Sequence, residues 1–221
     1  MALAREHNLL ALIDNTFMSP YLQRPLELGF DVVMHSATKF IGGHSDLIGG
    51  LVVARDEKIG HELKRIQNTF GAILGPQDSW LTLRGLKTMG VRMEAQQQSA
   101  GIIARWLEER PEIRRVFYPT LESHPGRETH LRQASGGGAV MSFELESGDK
   151  AVSLMRRVKL PLVAVSLGGV ESILSYPATM SHAALPKEER RARGITDGLV
   201  RLSVGLEAAE DLVDDLAQGL E

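Results

Sequence analysis

The stretch Asp31-Val-Val-Met-His-Ser-Ala-Thr-Lys-Phe-Ile-Gly-Gly-His-Ser-Asp-Leu-Ile-Gly-Gly50 changes character abruptly, and the rest of the chain reads outward from it. An apolar run, Val32 to Met34, stops at a polar group. Ser36, Thr38 and Lys39 follow, then the glycine pairs Gly42-Gly43 and Gly49-Gly50. A short β-branched run bounded in this way reads as a buried strand. In open α/β sheets, ligands bind just beyond the carboxyl ends of strands. Lys39 and its hydroxyls stand at such an end. A lysine among small polar neighbours beside a buried strand is partly desolvated, which lowers its pKa and frees the amine for Schiff-base chemistry.

Composition narrows the function classes. The chain has 221 residues, enough for one large or two small domains. Its 25 basic and 28 acidic residues nearly balance, which argues against a nucleic-acid partner. No apolar run approaches the length of a membrane span. The first residues lack the layout of a secretory signal, and a cytoplasmic location is the default expectation. There is no cysteine, hence no disulfide and no thiolate metal site. The seven histidines show no metalloprotease spacing, so no metal is expected.

In chain order, Leu9 to Ile13 predicts a second buried strand, ending at the carboxylate of Asp14. Ser19 to Gly29 suits a short crossover helix. If the two strands are parallel neighbours, Asp14 and Lys39 share one sheet edge. Leu51 to Ala54 predicts a third strand. Ile59, Leu63, Ile66 and Phe70 fall at helical spacing. Pro76 opens a helical region that runs to about Arg110, interrupted near Gly90, and Trp80 and Trp106 are expected in the core. Shorter elements follow Pro111: strands at 116–118, 138–145, 163–165 and 200–204, a helix over 151–158, and a final amphipathic helix over 209–220. A boundary near residue 110 divides a 1–110 unit from a smaller 111–221 unit.

An aspartate and a lysine at adjacent strand ends, with hydroxyls beside the lysine, suit pyridoxal phosphate. The lysine holds the aldehyde, the carboxylate keeps the pyridine nitrogen protonated, and hydroxyls donate to phosphate. A structural ion pair gives a similar pattern. The strings Asp14-Asn-Thr-Phe17, His35-Ser-Ala-Thr-Lys-Phe-Ile-Gly-Gly-His44, Ser166-Leu-Gly-Gly-Val-Glu171 and Arg201-Leu-Ser-Val-Gly-Leu-Glu207 together resemble the pyridoxal-phosphate enzymes of Cys/Met metabolism, the transsulfuration group. The resemblance runs over essentially the whole chain. It implies an α/β fold: the carboxyl-terminal part of the aspartate-aminotransferase-like (fold type I) architecture, with a partial large domain and a small α/β domain. It also implies a carbon–sulfur lyase acting on cystathionine or related sulfur amino acids, with γ-synthase or sulfhydrylase replacement chemistry as the runner-up.

By the same resemblance, Lys39 is the Schiff-base lysine and proton shuttle, and Asp14 pairs with the pyridine nitrogen. Ser36 and Thr38 donate to the phosphate, and Thr16 lies close to the ring. Arg201 holds the substrate α-carboxylate, helped by Ser166 and the adjacent backbone at Leu167. Glu171 bears on substrate choice, through attraction to a distal ammonium. Relatives assemble as homo-oligomers, a dimer of dimers. They also carry a long segment before the equivalent of Leu9, with a phosphate loop and a ring-stacking tyrosine. The chain therefore reads as a carboxyl-terminal fragment, expected to bind cofactor poorly by itself. Two other classes compete. Ser36-Ala-Thr-Lys39 matches the Ser-x-x-Lys string of penicillin-binding proteins, although no Lys-Thr-Gly triplet occurs. A non-catalytic assembly module is the other.

Overall fold

A computed structural model describes residues 1–221. The first sheet has three strands in the order β1 (Leu12–Asp14), β2 (Val32–Ser36) and β3 (Gly50–Ala54). β1 runs parallel to β2, with Asp14 in register with Met34, so the carboxylate and the Lys39 turn leave the sheet on the same edge. β3 returns antiparallel to β2, with Ser36 opposite Gly50. Val32 and Val33 are buried, as the apolar run requires.

The other two strands differ from expectation. The Leu9 to Ile13 run forms only the short β1, and its side chains face water: Leu10 is 71% exposed. β1 is an edge strand, and its Leu12 side chain is left exposed. Val52 and Val53 of β3, the other edge strand, are exposed too. The crossover holds a single helical turn, α2 (Ser19–Leu22), followed by turns through Gly29. After α1 (Ala2–Glu6), none of whose residues is buried, this half of the chain holds α3 (Glu57–Phe70), whose apolar stripe is also unburied. Trp80, expected in the core, is 55% exposed on α4 (Pro76–Leu86) and stacks instead under Arg84.

α5 (Met89–Glu108) follows a break at Lys87 and Thr88, close to the interruption expected near Gly90. It ties the two parts of the chain together. Met93 joins a small cluster with Leu22, Phe40, Ala139 and Leu167. One turn and more further on, Ala100, Ile103, Ala104 and Leu107 enter the main core. Trp106 packs partly buried against that core, as expected.

The second sheet has five strands. β4 (Ile113–Phe117), β5 (Val140–Leu145) and β8 (Leu199–Ser203) are antiparallel neighbours; β7 (Ile173–Ser175) pairs antiparallel with β8, and the two-residue β6 (Leu162–Val163) lies parallel to β7. One face is covered by α5, α7 (Gly148–Arg157) and α9 (Ala209–Leu220). Met141, Phe143 and Leu145 alternate inward with Val200 and Leu202 opposite, and Leu154, Leu212 and Leu216 close over them. Each such side chain contributes about 1.5–3 kcal/mol by leaving water. The period of two places Ser142 and Arg201 on the other face, in register with each other. α6 (Arg127–Gln133) and α8 (Lys187–Ala192) lie outside this core, α8 held by Arg190 and Arg191 on the carboxylate of Asp197.

Candidate active site

Lys39 stands on a π-helical turn, Ala37–Ile41, that opens directly from β2. Gly42 N donates to Ala37 O at 2.8 Å, an i to i+5 closure, and Lys39 itself leaves the helical path at φ −91°, ψ −131°. The returning chain locks the turn: Ala37 N donates to Gly49 O at 2.8 Å and Gly49 N donates to the Thr38 hydroxyl at 3.0 Å. Thr38, expected among the phosphate donors, therefore spends its hydroxyl on the turn itself.

A cleft of about 420 Å³ lies over this edge, lined by Asp14, Thr16, Phe17, Ser36, Lys39 and Leu167. Lys39 Nζ donates to Ser166 Oγ at 2.6 Å, a contact between residues 127 positions apart. Burial pulls the Lys39 pKa below the ordinary lysine value, and the nearby Arg201 cation lowers it further. Asp14 Oδ1 accepts from the Thr16 backbone N–H at 2.9 Å and from the Thr16 hydroxyl at 2.5 Å. The Thr16 hydroxyl in turn accepts from Ser36 N at 2.8 Å, joining the ends of β1 and β2. Asp14 Oδ2 accepts no hydrogen bond from the protein.

The loop over Lys39 is held in an unusual shape. Ser166 has φ +90°, a region that L residues rarely adopt and that persists only where the surroundings over-determine it. Gly168 comes so close to the turn that a Cβ would stand 2.8 Å from Phe40 N. Gly168 N donates to Ser203 Oγ at 2.9 Å, and buried Gln96 donates to Gly169 O at 2.7 Å and Val204 O at 3.0 Å. Glu207 adds a third tie, accepting from Ser172 N at 2.7 Å.

Arg201 reaches the same loop from β8. Its Nη2 donates to Ser166 O at 2.7 Å and to Ser175 Oγ at 3.2 Å, while its buried Nε has no partner. A guanidinium with an unused donor suits a carboxylate, which takes two parallel bonds. Glu171 is placed differently from its expected role. Its carboxylate accepts from Ser45 and does not line the cleft. Three contributors escaped sequence reasoning. Phe17 lines the cleft, Ser175 supports Arg201, and Gln96 pins the loop from a helix face that reads as ordinary core.

These residues fit pyridoxal phosphate. The cleft combines a desolvated amine, a carboxylate with a free oxygen and hydroxyls at one sheet edge. The serine-hydrolase alternative fits less well, since Lys39 bonds to Ser166 and not to Ser36.

The model of the Cys/Met metabolism PLP-dependent enzyme family matches residues 1–221. The chain belongs to this family. It is 59% identical over 219 residues to the cystathionine beta-lyase MetC of Bacillus subtilis (strain 168), covering 99% of this chain and 56% of that protein. Cystathionine gamma-lyase of the same organism is 50% identical over 219 residues, covering 99% of this chain and 58% of the relative. Among solved structures, cystathionine gamma synthase from Xanthomonas oryzae pv. oryzae in complex with cystathionine superposes with a TM-score of 0.96 at 47% identity. That match covers 99% of this chain and 57% of the other. The chain thus spans a little over half the length of the relatives it matches. The family is pyridoxal-phosphate dependent, and the α/β fold expected from the sequence is the fold observed.

Proposed function

We propose that this chain carries the lysine-bearing part of a carbon–sulfur lyase acting on cystathionine or related sulfur amino acids. The observation that supports this most directly is the Lys39 amine, held by Ser166 in a cleft shared with Asp14 and flanked by Arg201. Pyridoxal phosphate, when bound there, supplies an aldehyde for the lysine and an electron-accepting ring. Asp14 would hold a proton on the ring nitrogen. Ser36 stands at the phosphate end, Thr38 holds the turn beneath it through Gly49, and Thr16 orients Asp14. Arg201 orients the substrate by its α-carboxylate, with the Ser166 and Leu167 backbone beside it. Lys39, kept partly out of water, takes the α-proton and returns it at a neighbouring atom. For cleavage at the γ-carbon, the same amine also removes a β-proton.

The second reading is γ-replacement, as in cystathionine gamma synthase. That enzyme shares this fold at 47% identity, and the same residues serve both outcomes. Glu171 would then take part in substrate choice after release from Ser45. The division near residue 110, assembly of the whole protein into a homo-oligomer of two dimers, and a cytoplasmic location belong to the same proposal. No helix is long and apolar enough to cross a membrane.

Incubating the complete protein with cystathionine and identifying the keto acid tests the reaction. Pyruvate is the expected product. 2-Oxobutyrate would move the assignment to γ cleavage. Formation of cystathionine from an activated homoserine and cysteine would replace lysis by synthesis. Borohydride reduction with peptide mapping is expected to place the pyridoxyl label on Lys39, and label on another lysine would overturn the site.

A further inference from the structure

Arg92 is a charged side chain with no role in the chemistry above, yet it is only 3% exposed. All of its hydrogen bonds go to neutral oxygens: Phe40 O at 2.9 Å, Ile41 O at 3.4 Å, Gly85 O at 2.9 Å and Thr88 Oγ1 at 3.1 Å. Burying a guanidinium without a carboxylate is costly, and the cost is offset only where its donors are used. Here they are used on the two peptide carbonyls that follow Lys39. Those carbonyls lie past the closing bonds of the π turn, and no backbone N–H reaches them.

The surroundings are shaped around the guanidinium. Gly43 has φ +74°, and a Cβ there would stand 2.0 Å from Arg92 Nη1. At Gly85, a Cβ would stand 2.4 Å from Gly42 O, so the α4 backbone itself meets the exit of the turn. Two glycines and one arginine thus enclose the chain directly after Lys39.

We propose that Arg92 is a positioning residue for Lys39: its guanidinium fixes the backbone immediately after the lysine and so sets where Nζ stands relative to Ser166 and the cleft. The proposal rests on the reading that Lys39 is the reacting amine. Lysine at this position keeps the charge but lacks the fork that spans Phe40 O and Gly85 O, so it restores the function only in part.

The test uses the complete protein with pyridoxal phosphate bound, and its cofactor-free form. R92M is expected to lower kcat on the order of 10–100-fold with KM changed by less than about twofold. In the cofactor-free form, acetic anhydride is expected to label Lys39 several-fold more slowly at pH 8, because the amine relaxes toward water and regains its proton. R92K should fall between R92M and the parent in both readouts. L216A, which opens the remote core of the second sheet, is the control for general destabilisation and should leave kcat per folded molecule unchanged. Unchanged kcat and labelling in folded R92M overturn the proposal, as does an equal fall in L216A or full recovery in R92K. If R92M does not fold, T88V removes one acceptor of the guanidinium and should shift both readouts in the same direction by less; no shift there also overturns it. K39A separates the two levels of argument. Activity surviving in K39A defeats the functional reading, whereas loss in K39A with no effect of R92M or T88V defeats only the role of Arg92.

Discussion

At the residue scale, the decisive quantity is the protonation of Lys39. Its folded pKa lies below the ordinary lysine value because burial, and then Arg201, disfavour the ammonium. Between that depressed pKa and about 10.4, the unfolded chain carries a proton that the folded protein has lost, so stability rises with pH across that window. At lower pH both states are protonated and the full cost of the buried ammonium is present. K39M, which is neutral throughout, is expected to be more stable than the parent near neutral pH and to lose the rising slope above it. Urea denaturation of the cofactor-free protein at a series of pH values checks this; an unchanged slope would place the amine in ordinary solvent. The strand-end positions of Lys39 and Asp14 were legible from residue types. Ser166, Ser175 and Arg92 act through contacts that local sequence does not encode.

At the element scale, helices with strong local signals form where the periodicity puts them. α3 is the instructive case, because it forms without burying any residue. Its start is held by Asp56, whose carboxylate accepts from Lys58 N at 2.8 Å and Ile59 N at 3.2 Å, and its end by Gly71 in the left-handed region at φ +67°. With no buried face to compensate, the cap weighs heavily. D56A is expected to cost ~1 kcal/mol and D56N much less. Amide exchange in the first turn of α3 should accelerate in D56A alone, and an equal acceleration in D56N would point away from the cap. The short strands were harder to read. Leu9 to Ile13 has the composition of a buried strand, but burial depends on what covers its faces, and Leu9, Leu10 and Leu12 stay exposed.

Across the whole molecule, apolar burial is unevenly spread. The core of the five-stranded sheet gathers 20 buried residues, whereas the clusters around the Lys39 turn gather five and three. Local stability follows such density. Backbone amides of β1 and β3 are therefore expected to exchange orders of magnitude faster than those of β5 and β8, in a native-state hydrogen-exchange measurement on this chain. Uniform protection across both sheets would contradict the uneven core. The ties from Gln96, Ser166 and Gly168 carry the first sheet's site onto the better-packed second sheet, which is how a thinly packed edge keeps a defined lysine.

By itself, the sequence determined what local chemistry and periodicity can decide: the apolar run that becomes β2, the break into Ser36, Thr38 and Lys39, the alternation of β5, and the periodic helices. These depend on neighbours within a few residues or on a period that the fold must respect. Only the tertiary structure decided that Ser166, 127 positions away, receives the lysine, that Arg92 lies behind its turn, that Glu171 turns to Ser45, and that Trp80 and the β1 leucines face water. Each of these depends on which surfaces meet, and side-chain type alone does not specify a partner.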